Sequence, residues 1–180
     1  MKKTKSVLER REIDIMIGRA GNLRDKALLA FLYLTGARIS EVVRSVRKGD
    51  FRYEEPFLLV KLKTLKNPRQ PFRILGLSVN DPYTRIVMQY LREVKENDHL
   101  WPYSRQYVWK LLKKLGGRDV HPHVFRHTRL THCVLIGDMN EFDLARFAGW
   151  SNPTPAMTYV HMKYRDILPK IERMAEKSRE

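Results

Sequence analysis

Arg126 occupies the position that most demands a chemical explanation. In the helix opening near His123, residues 126, 130, 133 and 134 follow the i, i+4, i+7, i+8 spacing of one face. Arg126 therefore shares a stripe with Leu130, Cys133 and Val134 and points coreward. A guanidinium there must meet a carboxylate, reach water or face an anion in a cleft, because an unpaired buried charge is strongly unfavourable. His123 stands about one turn earlier, and an imidazole beside a guanidinium can manage both a proton and a phosphate. A second arginine, Arg38, lies in Thr35-Gly-Ala-Arg-Ile-Ser-Glu41, where Gly36 allows a tight turn and Glu41 can orient the arginine. Helix capping accounts for Arg38 equally well. Near the C-terminus, the turn-rich stretch Ala148-Gly-Trp-Ser-Asn-Pro-Thr-Pro-Ala-Met-Thr-Tyr159 presents a tyrosine, one of eight, for which packing alone is a sufficient role. His123 and His127 are four residues apart and could approach a zinc ion, with His121 and His132 nearby. With Cys133 as the single cysteine and no carboxylate beside them, zinc is disfavoured, and His127 is expected to pack or hydrogen-bond.

The elements that must position these groups are mainly helical. Leu8 to Gly18 is amphipathic. Arg24 to Leu34 is apolar almost all round, as in a helix buried at the centre of a domain, and Gly36 can end it. A third helix is expected from about Ile39 to Val46. Between Phe51 and Leu77 the pattern becomes β-prone, with Phe57 to Lys63 and Pro71 to Leu75 separated by a polar turn, giving a small antiparallel sheet. Asp81 followed by Pro82 opens a helix to about Glu96, and Ser104 opens one ending at Gly116 and Gly117. Further helices are expected at about 123–136, 141–148 and 154–159, and a last one from Tyr164 into the charged tail.

The chain has 35 Lys and Arg against 20 Asp and Glu, a formal net charge of +15, and 43% hydrophobic content. That composition suits one folded basic domain and argues against disorder. The longest apolar run, Ala27 to Leu34, is eight residues, far short of the roughly 18 needed to span a bilayer. The polar stretch Thr4 to Asp14 contains no signal-peptide core, so a cytoplasmic protein with no membrane partner is expected. The basic residues are spread along the chain, which favours a polyanion partner, nucleic acid first, although a solvated basic surface would carry the same charge.

In order and spacing these pieces resemble the catalytic domain of the tyrosine recombinase (phage integrase) family, over nearly the whole chain. Thr35 to Glu41 is similar to that family's first arginine motif. His123-Val-Phe-Arg-His-Thr128 is similar to its His-x-x-Arg box. Ala148-Gly-Trp150 stands where the family has Leu-Gly-His or a tryptophan variant. Tyr159 follows nine residues after Trp150, and His161 two residues later.

The resemblance implies a mainly α fold with a small antiparallel β-sheet, and site-specific recombination of double-stranded DNA. Tyr159 would attack a scissile phosphodiester to give a 3′-phosphotyrosyl intermediate and a free 5′-hydroxyl. Arg38 and Arg126 would neutralise the nonbridging oxygens. His123 would accept or share the phenolic proton, since an unperturbed tyrosine pKa of about 10 makes a poor nucleophile. A hairpin lysine, assigned to Lys63 with Lys66 as runner-up, would protonate the leaving oxygen. Glu41 would support Arg38. Trp150 would pack and hydrogen-bond in place of a histidine, and His161 would pack. No metal, cofactor or small-molecule substrate is implied.

The same resemblance implies a homo-oligomeric, tetrameric synapse and a terminal helix at about 164–178 that docks on a neighbouring protomer. The chain reads as a single catalytic domain over 1–180 without the family's N-terminal core-binding domain. Type IB topoisomerase-like relaxation and non-enzymatic DNA binding remain the competing expectations. A metal-dependent nuclease would need clustered Asp and Glu residues that the sequence does not offer.

Overall fold

A computed structural model describes residues 7–65 and 70–160. Lys66, His161 and the expected terminal helix at 164–178 lie outside the described residues. The elements in chain order are α1 (Arg10–Arg19), α2 (Leu23–Thr35), α3 (Ile39–Val42), a 3-10 turn (Lys48–Asp50), β1 (Phe51–Glu54), β2 (Phe57–Lys63), β3 (Phe72–Ser78), α4 (Pro82–Glu93), α5 (Arg105–Gly116), α6 (Pro122–Leu135), α7 (Glu141–Ala148) and α8 (Thr154–Val160).

α2 is the central post of the molecule. Its start is fixed by the Asn22 side chain, which accepts from the Asp25 N–H at 2.8 Å. Its end is Gly36, at φ +55°, where a side chain would be strained and would crowd Arg129. In between, Leu28, Leu29, Ala30 and Phe31 are fully buried, so the helix is apolar on every side because it packs on α1, α4 and α6 at once. α4 and α5 carry the start signals expected of them. Asp81 accepts from the Tyr83 N–H at 2.9 Å with Pro82 in the first turn, and Ser104 accepts from the Tyr107 N–H at 3.1 Å.

The third helix is shorter than the sequence suggests. It stops at Val42, and Arg44 takes a left-handed φ of +58° as the chain turns toward the sheet. The sheet is antiparallel in the order β1-β2-β3, one strand more than the two apolar runs indicate. Its register pairs Lys61 with Ile74, Leu62 with Arg73 and Lys63 with Phe72. Leu58, Val60 and Leu62 face the core, while Lys61 and Lys63 lie on the outer face.

Two apolar clusters result. The larger surrounds α2 and includes the inner face of the sheet. The smaller joins Leu130, Cys133 and Val134 of α6 to Leu144 and Ala148 of α7 and Ala156 of α8, with Trp150 and Tyr159 packed on it and Phe147 touching both clusters. No helix among the described residues is long and apolar enough to cross a membrane.

Candidate active site

Glu41 is fully buried, and it holds two arginines. The backbone N–H of Arg38 donates to its Oε2 at 3.0 Å, Arg38 Nη1 donates to its Oε1 at 3.0 Å, and Arg73 Nη2 donates to its Oε2 at 3.0 Å. Burial alone would raise the Glu41 pKa. The Arg73 charge and the hydrogen bonds from both arginines outweigh it and hold the carboxyl below its usual range. Arg38 is placed by the turn at Gly36 and by its position at the N-cap of α3. Arg73 is placed by strand alternation, in phase with the buried Leu75 and Leu77.

Arg126 enters the same region from α6. Its Nη1 donates to the Gly36 carbonyl and its Nη2 to the Ala148 carbonyl at 3.2 Å, so neutral oxygens position it without cancelling its charge. Burial, then the neighbouring charges of Arg38 and Arg73, push its pKa down to about 10, against opposing contributions from Glu41 and Tyr159. It remains protonated at neutral pH. Arg38, Arg73, Glu41 and Tyr159 therefore all lie close enough to Arg126 to move its proton affinity. The backbone contacts agree. Gly36 is two residues from Arg38, and a side chain on Gly149, next to Ala148, would meet Arg73 Nη1 at 2.8 Å. Three guanidiniums facing one carboxylate leave an excess of positive charge in a low-dielectric setting, which is a site for an anion.

Trp150 and Tyr159 form the other wall. The Arg126 Cζ lies 5.5 Å from the centre of the Trp150 ring, a cation–π contact. The Trp150 and Tyr159 rings are 6.1 Å apart at an interplanar angle of 29°. The Tyr159 hydroxyl and His127 Nδ1 share a hydrogen bond at 3.1 Å, and the two rings lie 5.1 Å apart. Burial pushes the Tyr159 pKa above its ordinary value, with Arg126 pulling the other way.

His123 sits exposed in the first turn of α6. Its ring stands edge-on to His121 at 6.1 Å, and His121 in turn stacks on Trp109 at 5.1 Å. Lys63, at the end of β2, borders a cavity of about 170 Å³ whose walls also include Glu41, Arg47 and Asp50. Lys61 borders it too, but its Nζ rests 4.3 Å from the centre of the Phe72 ring.

The structure thus brings Arg38, Glu41, Arg126, Trp150 and Tyr159 together, with Lys63 at the rim beside Glu41. It seats His123 against His121, and the histidine on the tyrosine oxygen is His127. Sequence reasoning passed over Arg73. Its signal was the period-two pattern of β3, which sets residue 73 on the same face as Leu75 and Leu77. Among the described residues, no three His, Cys, Asp or Glu side chains gather as a metal site.

Comparison with known proteins agrees with this architecture. Tyrosine recombinase XerD of Corynebacterium glutamicum is 31% identical over 151 residues, covering 78% of this chain and 49% of that protein. Tyrosine recombinase XerC of Bacillus licheniformis is 31% identical over 161 residues, covering 82% and 52%. Tyrosine recombinase XerA of Pyrococcus horikoshii is 27% identical over 178 residues, covering 90% and 59%. The chain therefore spans about half the length of the curated relatives it matches. Among solved structures, XerH site-specific recombinase bound to difH substrate in a pre-cleavage complex superposes with a TM-score of 0.70 at 17% identity, covering 94% of this chain and 55% of that one. The XerA recombinase gives 0.69 at 20% identity, covering 97% and 65%. At those identities the structures speak for the fold. The phage integrase family profile matches residues 6–166, and with that extent of match beside the arginine pair and tyrosine described above, the chain belongs to the phage integrase family.

Proposed function

We propose that this chain cleaves and rejoins DNA in site-specific recombination, with Tyr159 as the nucleophile. The observation that carries the reading is the convergence of Arg38 and Arg126, from elements far apart in sequence, on one cationic site beside the Tyr159 ring. Attack of the phenolic oxygen on a phosphodiester spreads charge onto the nonbridging oxygens, and planar, always-charged guanidiniums stabilise that charge without reorganising. Glu41 and Arg73 keep Arg38 in place. Trp150 walls the tyrosine against Arg126; an indole donates one hydrogen bond and cannot shuttle protons. Lys63 is the general acid for the departing 5′-oxygen, and Lys61, drawn over Phe72, is the less available of the two. His123, exposed at the helix start, meets the phosphate from the solvent side.

Double-stranded DNA is the proposed partner. The names of the relatives, the DNA-bound structural neighbour and the net charge of +15 all support it. Exchange between two duplexes needs a nucleophile for each of their strands, so the working form on DNA is a homo-oligomer, a tetrameric synapse.

The test is a suicide duplex nicked next to the cleavage point. A covalent protein–DNA adduct that survives denaturant and EDTA, and is absent with Tyr159→Phe, is the expected result. An adduct that persists in Tyr159→Phe, or cleavage that EDTA abolishes, refutes the reading.

A further inference from the structure

The hydrogen bond on the nucleophile's oxygen comes from a residue that the family motif does not single out. His127 Nδ1 and the Tyr159 hydroxyl share a hydrogen bond at 3.1 Å, and the two rings pack tilted against each other with centroids 5.1 Å apart. We propose that His127 is a catalytic residue: its Nδ1 takes the phenolic proton of Tyr159 as the phenolic oxygen bonds to phosphorus, and returns it on religation. The proposal rests on the cleavage reaction put forward above.

In the forward step the O–H bond of Tyr159 breaks and its proton passes to Nδ1, while the Tyr159 O–P bond forms. The P–O5′ bond breaks, and the departing oxygen takes a proton from the Lys63 ammonium. Imidazolium and neutral amine remain. Religation runs the same transfers backwards, with Lys63 taking the 5′-hydroxyl proton and His127 restoring that of Tyr159.

The setting suits a base. The half-buried His127 is held below its ordinary pKa by desolvation, so it is neutral at physiological pH, and with its ring proton on Nε2 it offers a lone pair at Nδ1. Tyr159 from α8 is in contact with it, and the charge of Arg126, from the same helix as His127, pulls the pKa of that tyrosine down. α7, packed on both helices, contributes Leu144 and Ala148 to the apolar cluster under this contact, and its ionisable side chains are Glu141, Asp143 and Arg146. His123, the alternative base, lies against His121 in the exposed first turn.

The decisive experiment measures single-turnover adduct formation by the full chain on a suicide duplex across the neutral range, with an ordinary 5′-oxygen and with a 5′-sulfur leaving group that departs without a proton. His127→Gln keeps an acceptor for the tyrosine but cannot take its proton. It is expected to bind DNA normally and to lose about 100-fold or more of the cleavage rate on both substrates, within the usual range for general-base loss. Its rate should climb about tenfold per pH unit where the parent chain is flat. Lys63→Ala should recover on the 5′-sulfur substrate, and added imidazole should partly restore His127→Gly. A His127→Gln rate equal to that of the parent overturns the proposal. A faster rate also overturns it, and marks the contact as a restraint on Tyr159. If Tyr159→Phe still forms adduct, the cleavage reading itself falls. Loss in Tyr159→Phe with no change in His127→Gln removes only this inference.

Discussion

At the scale of single residues, Glu41 has the largest structural consequence. One carboxylate with no exposed surface orients Arg38 for a ligand and keeps Arg73 from standing uncompensated in the interior. Removing one member of a buried ion pair is far more damaging than never having built it, since the partner stays buried and charged. Glu41→Gln is therefore expected to lower stability at neutral pH by about 3–5 kcal/mol. The pH dependence follows from the sign of the shift. A carboxyl whose folded-state pKa lies below its unfolded value contributes stability above the unfolded pKa, near 4.5, and loses it as pH falls through the folded value. Urea unfolding of both chains at neutral pH and in acid should show the gap narrowing on acidification. A gap that is constant with pH would mean that the charge of Glu41 is irrelevant.

At the scale of elements, the site is closed by the end of α7. Gly149 has φ +69°, and a methyl group there would sit 2.8 Å from Arg73 Nη1 and 3.1 Å from the Thr64 methyl group. Gly149→Ala is expected to cost on the order of 1–2 kcal/mol in backbone strain. It should reduce adduct formation by more than that loss implies, because Arg73 and the carbonyl holding Arg126 move with it. Parallel measurement of melting and adduct rate checks this, and a rate loss no greater than the stability loss refutes it.

Local signals made most elements legible: the caps at Asp81 and Ser104, the stop at Gly36, and the apolar character of Arg24 to Leu34 almost all round. The early stop of α3 was hidden because apolar Val43 and Val46 prolong the helical pattern past the turn at Arg44. β1 was hidden by its length, four residues with two charges. Which of His123 and His127 meets the Tyr159 hydroxyl was beyond periodicity, since residues four apart share a helical face. The docking of α8 on α6 brings Tyr159 to His127, and that is tertiary.

At the scale of the molecule, the proposed DNA partner would be met through the excess of lysine and arginine. Each phosphate neutralised releases counterions, so affinity should fall linearly on logarithmic axes as salt rises. A footprint of several phosphates loses on the order of a thousandfold between about 50 and about 200 mM salt. Because such contacts carry no base information, binding should discriminate poorly between duplex sequences. Anisotropy titrations over graded salt measure both, and an affinity insensitive to salt would exclude the electrostatic account.

The molecule is also divided within itself. Arg38 and Arg73 stand beside the large cluster around α2 and Arg126 reaches from α6 to the Ala148 carbonyl of the smaller one, whereas Tyr159 rides on α8, which places one side chain, Ala156, fully inside the smaller cluster, with Tyr159 and Val160 packed partly on it. Segments with so little buried apolar surface open at a fraction of the free energy of global unfolding. On the proposed reading, the Tyr159 oxygen can thus be withdrawn or delivered while Arg38, Glu41 and Arg73 stay assembled. Thermal robustness and readiness to react are set by different parts of the chain, so each can drift in evolution with little effect on the other.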